Sequence, residues 1–168
     1  AFWFLMYHMP FLQGVIEYNW PAKADPSQAF ASLLMMSHGY APVQLILAAF
    51  VLTGLAIALR RPEYRWFAWS YLFASAIFFV DMAFNGAVKH FIAGFWYTDQ
   101  LRTGSMAAIF AVPLAALGAH RLADIAALAF DRLVCVGAFR GKRPSVMVRL
   151  GCAAVLFAAI FYPSFDMS

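Results

Sequence analysis

The fold class predicted by this chain is all-α, a polytopic bundle of transmembrane helices, and three observations lead there. Of 168 residues, 64% are apolar and only 12% charged, and mean hydropathy is +0.73. Soluble domains are about half apolar and about a quarter charged. The apolar residues also gather into runs near the 20 or so residues that a helix needs to cross about 30 Å of hydrocarbon. About four such runs are expected, together with a partial apolar segment at the start, all in one helical region covering 1–168.

Residues 1–16 are apolar but interrupted by His8, Pro10, Gln13 and Gly14, so they read as the tail of a span or a re-entrant segment. No basic stretch precedes them, so they do not read as a signal peptide. The chain starts within a hydrophobic run and without an initiator methionine, so it reads as part of a larger polypeptide. Residues 17–39 then form a loop marked by Pro21, Asp25, Pro26 and Ser27, with a short amphipathic helix around 30–36. Glu17 in this loop reads as a solvated carboxylate, with a second cavity acid as the alternative.

The first expected span, 40–59, is uncharged and stops at Arg60-Arg61-Pro62. The second, 66–86, opens with Trp66 and Trp69, residues suited to the membrane interface, and carries one charge, Asp81. The third, 104–124, contains Pro113 as a kink and is expected to continue as helix toward Asp131, starting at Thr103 or Ser105. The fourth, 147–163, is the shortest, with Arg149 reaching back to the interface.

Cations set the orientation, because Lys and Arg are retained on the cytoplasmic side. Arg60, Arg61 and Arg65 occupy the loop 60–65, and Arg132, Arg140, Lys142 and Arg143 the loop 132–146 two spans later. The loops 17–39 and 88–103 then face outward, as expected of a multi-pass protein of the plasma membrane. The net charge of +4 is thus a topology signal. No nucleic-acid-binding pattern accompanies it, so no nucleic-acid partner is expected. Phosphate-loop, dinucleotide and Gly-x-Ser-x-Gly motifs are also missing from the sequence. His8, His38, His90 and His120 lack metal-ligand spacing, and Cys135 and Cys152 read as bystanders. No metal site and no cofactor are expected, although a divalent metal stays open.

Two polar features break the apolar pattern. Asp81, Asn85 and Lys89 are spaced by four and would stack along one face of a continued second helix. An ionisable group in a span faces the bundle interior with a partner. The stripe is therefore either a clamp holding the bundle together or one wall of a polar cavity. The second feature is Gly94-Phe-Trp-Tyr-Thr-Asp-Gln-Leu-Arg-Thr-Gly104. There Asp99 and Arg102 are either a helix-start pair with Phe95, Trp96 and Tyr97 as interface residues, or a site in which Arg102 and helix-terminal amides meet a phosphate. In the second case the aromatics stack on a sugar and Asp99 orients or deprotonates a hydroxyl.

The run from Asn85 to Asp99, with Arg102 and then Ala111-Val-Pro-Leu-Ala-Ala-Leu-Gly118, resembles an actinobacterial family of large polytopic membrane proteins of unknown function. That family is grouped with the GT-C glycosyltransferases, which take sugars from polyprenyl-phosphate donors on the outer face. The resemblance is strongest over about 85–118 and weaker over 40–65, and it places the chain in the middle of such a protein. It implies transfer of a sugar to a cell-envelope acceptor. Asp99 would be the catalytic residue, with Trp96, Tyr97, Arg102 and Lys89 contacting donor or acceptor and Asp81 and Asn85 lining a polar cavity. The GT-C acid of the first outer loop has no identifiable counterpart here, so catalysis would require the rest of the polypeptide. The partners implied are membrane lipid, the lipid-linked sugar, and other membrane subunits or further parts of the same chain. Two other classes stay open: a non-catalytic subunit scaffolding a membrane complex, and a transporter with Asp81 on its path.

Overall fold

The computed structural model describes residues 1–38, 42–134 and 151, with the backbone alone for 129–134. Among them it is all-helical. Two short helices, α1 (Phe2–Tyr7) and α2 (Pro10–Ile16), are followed by α3 (Pro26–Leu34), α4 (Leu45–Arg60), α5 (Arg65–Ala83), α6 (Ala87–Ala93) and α7 (Gln100–Val134). Single 3-10 turns at Pro62–Tyr64 and Gly94–Trp96 lead into α5 and out of α6.

Among the described residues, two helical stretches are long and apolar enough to cross a membrane, Pro62–Ala83 and Gln100–Leu128, where three of the about four spans were expected. The run 40–59 yields α4, whose 16 residues rise only about 24 Å, short of the hydrocarbon thickness. Its start is delayed to Leu45, beyond Pro42. The expected span 147–163 and the loop 132–146 beyond Val134 lie outside the described residues. The initial apolar segment is no span either: it breaks at His8 and Met9, where Pro10 opens a new helix.

The second expected span ends three residues early. Phe84 is extended and Gly86 takes φ 81°, a conformation that glycine adopts without steric cost. The chain turns there and restarts as α6, so Asp81, Asn85 and Lys89 do not share one helical face. The third span, in contrast, extends from Gln100 through Asp131 to Val134 with Pro113 inside it. It starts earlier than Thr103 because Asp99 accepts the Leu101 amide at 2.9 Å and so caps the helix at Gln100. The predicted helix around 30–36 is present but shifted, since Asp25 and Gln28 form a capping box ahead of Pro26.

The core is the contact of α4 and α5 with α7. Val51, Ala58, Ala68, Tyr71, Ala111 and Leu114 are buried there together. Two glycines decide how close α4 and α7 come. A Cβ on Gly54 would land on the Leu114 carbonyl, and one on Gly118 on the Phe50 carbonyl, so the two backbones touch. Helices in lipid gain little from burying apolar side chains, and close backbone approach at small residues is what holds them. The outward surface suits that setting: Trp66, Trp69 and Phe73 on α5, with Ile109 and Val112 on α7, are more than half exposed. Patches of this kind mark surfaces made for an apolar surrounding.

Helix α5 runs from the arginines to Asp81, and Gln100 of α7 bonds back to the Asp81 carbonyl at 3.4 Å. The tract 94–104 is therefore at the opposite end of the bundle from Arg60, Arg61 and Arg65.

Candidate functional site

At that end, the loop between α2 and α3 is fastened to α5, α6 and α7 by the buried polar side chains of Lys89 and Gln100 and by the exposed Asn85. Lys89 Nζ donates to the Trp20 carbonyl at 2.7 Å and lies 3.2 Å from Asp81 Oδ1, with both side chains closed to solvent. The second carboxylate oxygen of Asp81 accepts the Thr103 hydroxyl at 2.8 Å. Gln100 Nε2 donates to the Pro21 carbonyl at 3.2 Å, and Asn85 Oδ1 accepts the Ala22 amide at 2.8 Å. Burial draws the Lys89 pKa below the usual lysine value, and the Asp81 carboxylate opposes that fall. A buried ion pair survives when further hydrogen bonds satisfy its members, and here Trp20 serves Lys89 and Thr103 serves Asp81 Oδ2, while Asp81 Oδ1 has the charge of Lys89 but no hydrogen bond among the described residues.

Thr98 extends the fastening. Its hydroxyl donates to the Tyr18 carbonyl at 3.1 Å and accepts the Trp20 amide at 2.8 Å. Tyr97 and Thr98 have φ of 61° and 47°, a left-handed pair that costs roughly 1–2 kcal/mol per residue for side chains other than glycine. The two bonds of Thr98 hold this turn in place, and they aim Tyr97 outward beside Tyr18, 6.0 Å between rings.

Of the residues picked out in the sequence, three come together on the surface. The Arg102 guanidinium lies 4.8 Å from the centre of the Tyr97 ring, and Arg102 Nε is 3.4 Å from Asp99 Oδ2. The Arg102 side chain is 59% exposed, which leaves its outer nitrogens open to a ligand, whereas Asp99 is 26% exposed. Both Asp99 oxygens are engaged, one on the Leu101 amide and one on Arg102. The helix-start arrangement is thus present, and an accessible guanidinium stands on top of it.

The other expected residues go elsewhere. Trp96 turns toward Trp3, 6.0 Å between rings, where Phe95 also packs at 4.9 Å. Lys89 is sealed inside, and Asp81 and Asn85 join the fastening of the 17–25 loop. The neighbouring cavity, about 190 Å³, is lined by Ser37, His38, Gln100, Leu101, Gly104 and Ser105 rather than by Asp81 or Lys89. His38 Nε2 is buried there without a hydrogen-bond partner among the described residues, and burial lowers the His38 pKa. No group of three His, Cys, Asp or Glu side chains able to hold a metal is found among the described residues.

Sequence reasoning missed Thr98, Gln100 and Thr103, all almost fully buried. The signal available was their polarity within a tract flanked by apolar runs, which asks for partners as firmly as Asp81 does. The backbone carbonyls of Tyr18, Trp20 and Pro21 that receive these groups have no sequence signature.

No characterised protein and no solved structure matches this chain. A family model does match, over residues 1–168, and the chain belongs to that family, a family of unknown function (DUF6541).

Proposed function

We propose that this chain is part of a multi-pass plasma-membrane glycosyltransferase of the GT-C type, which passes a sugar from a polyprenyl-phosphate donor to a cell-envelope acceptor on the outer side. The observation that carries the reading is the rim at Tyr97, Asp99 and Arg102. A half-open guanidinium is held against an aromatic ring and a carboxylate, at the end of the bundle away from the arginine-rich turn.

The rim offers a coherent exchange of partners. The donor phosphate takes the Arg102 guanidinium, because a doubly bonded phosphate outcompetes one 3.4 Å contact to Asp99. That exchange frees Asp99 Oδ2. The acceptor hydroxyl then attacks the anomeric carbon and a C–O bond forms there as the bond to the phosphate oxygen breaks. The hydroxyl proton goes to Asp99, and the negative charge on the departing lipid phosphate stays with Arg102. Tyr97 supplies a face for the sugar.

A scaffold subunit of a larger membrane complex is the second reading. It is favoured by the full engagement of Asp99 within the helix start and by the buried Asp81 and Lys89 pair, which fastens segments together. A transport path is disfavoured by the apolar packing of Val51, Ala58, Ala68 and Leu114 beneath that pair.

The test is transfer from a radiolabelled polyprenyl-phosphate sugar by the full-length protein in membranes. Loss of transfer in Arg102→Ala and Asp99→Asn supports the rim. Undiminished transfer in both removes it from the mechanism, and absence of transfer by the unaltered full-length protein turns the choice to the scaffold.

A further inference from the structure

At the end of the bundle away from the rim, a slot of about 340 Å³ opens between the start of α5 and the middle of α7. Tyr64, Phe67, Pro113, Ala116, Leu117 and His120 line it. On the α7 side Pro113 has no amide hydrogen to give the turn before it, and the small Ala116 one turn on fills little space. On the α5 side Phe67 is braced by stacking on Trp66, 3.6 Å between rings.

Beside this slot, next to its lining residue Tyr64, is a basic turn, while His120 on the α7 side lies 3.3 Å from Asp124. The Tyr64 amide bonds back to the Arg61 carbonyl at 3.1 Å, which sets Tyr64 in the same turn as Arg60, Arg61 and Arg65. All three arginines are exposed. Arg65 Nε donates to the Leu59 carbonyl at 3.2 Å and so closes the end of α4. Arg60 and Arg61 make no ion pair among the described residues, and Glu63 is the one acid between them and Arg65. The exposed indoles of Trp66 and Trp69 stand beside this turn, at the depth where such rings settle among lipid headgroups.

We infer that this end of the bundle is a site for one anionic phospholipid, with the phosphate headgroup on Arg60 and Arg61 and an acyl chain in the Pro113 slot. Charge chooses the occupant. Two exposed guanidiniums with no ion pair among the described residues, beside an apolar slot, suit a molecule with an anionic head and a hydrocarbon tail, and they gain less from a zwitterionic lipid, whose own cation offsets its phosphate. The site rests on α5 and α7 lying in a bilayer, and not on sugar transfer.

The experiment is native mass spectrometry of the full-length protein in detergent, supplied with phosphatidylglycerol or phosphatidylcholine of equal chain length. Retention of phosphatidylglycerol is expected to exceed that of phosphatidylcholine about tenfold. In Arg60→Gln/Arg61→Gln the preference should fall to about twofold or less, because each basic residue near an anionic headgroup contributes roughly fivefold. Ala116→Leu, which fills the slot without changing charge, should lower retention of phosphatidylglycerol several-fold. If the double variant does not fold, the unaltered protein still decides: its preference should collapse between about 0.05 and 0.5 M salt, as screening shortens the reach of the guanidiniums. Equal retention of the two lipids, or a preference indifferent to salt or to loss of Arg60 and Arg61, overturns the site. Unchanged retention in Ala116→Leu overturns the slot. Resistance of the protein to carbonate extraction from membranes reports separately on the bilayer placement.

Discussion

Lys89 and Asp81 meet at 3.2 Å with no solvent on either side chain, although a helix end and a chain reversal separate them in sequence. Each member is there because the other is. Removing one leaves a buried charge without its counter-ion, a loss of about 3–5 kcal/mol. Asp81→Asn and Lys89→Met should each lower the thermal midpoint in detergent markedly, while the double variant Asp81→Asn/Lys89→Met should cost well under the sum of the two. Additive losses would mean that the pair is not coupled.

The contact of α4 with α7 should be intolerant of a single methyl group. In Gly118→Ala the new Cβ meets the Phe50 carbonyl, which cannot move without parting the helices. A loss of about 2 kcal/mol or more follows. Gly14→Ala is the control, since nothing lies within contact of a Cβ there and the helix gains up to about 1 kcal/mol from alanine. Thermal unfolding of both variants should move in opposite directions, and equal behaviour would refute the close approach.

His38 is expected to make the bundle sensitive to acid. Burial holds its folded pKa below the ordinary value, so the folded state keeps the ring neutral while the unfolded chain binds a proton readily. Stability is therefore intact above the unfolded value, about 6.5, and falls as the pH drops through it. Nothing further is lost once the pH is below the folded pKa as well. Because His38 has φ 43°, asparagine is the replacement that its backbone tolerates best. His38→Asn should flatten the decline in thermal midpoint between about pH 7 and pH 5, measured as the difference from the unaltered protein. An identical slope in both proteins would place the acid sensitivity elsewhere.

The helical class was legible because it depends on runs of apolar residues, and α5 and α7 carry such runs intact. Spacing by four brought Asp81 and Lys89 to notice, and they do meet. The geometry was mistaken, because the extended Phe84 and the positive φ of Gly86 end the helix where periodicity alone would continue it. Asp99 and Arg102 were legible as a pair because a three-residue spacing closes within one helical turn. Trp20 and Tyr18 were not legible as partners. They act through backbone carbonyls, which every residue has, and their positions depend on how a loop 60 to 80 residues distant folds back. The shortening of the first run to α4 did have a local signal, Pro42 and Gln44 just ahead of Leu45, which a count of charges along the run passes over.

The rim separates stability from function in a way that can be measured. Arg102 is largely exposed, and an exposed ion pair contributes about 0–1 kcal/mol, so Arg102→Ala should leave the thermal midpoint nearly unchanged. Asp99 also caps α7 through the Leu101 amide, and Asp99→Ala should cost about 1 kcal/mol more. Asparagine caps a helix about as well as aspartate but accepts no proton, so Asp99→Asn keeps the fold and isolates the chemistry. If Arg102 holds a phosphate, Arg102→Lys should recover part of the apparent donor affinity lost in Arg102→Ala, and not all of it, because an ammonium replaces a planar fork with a point charge. Asp99→Asn should reduce turnover by about 10²-fold or more while donor affinity stays within a few-fold, since a base acts on the acceptor proton and not on binding. A fall in donor affinity alone in Asp99→Asn would assign Asp99 to the positioning of Arg102. Equal turnover and affinity in all four variants would leave the rim as the capped start of α7 and nothing more.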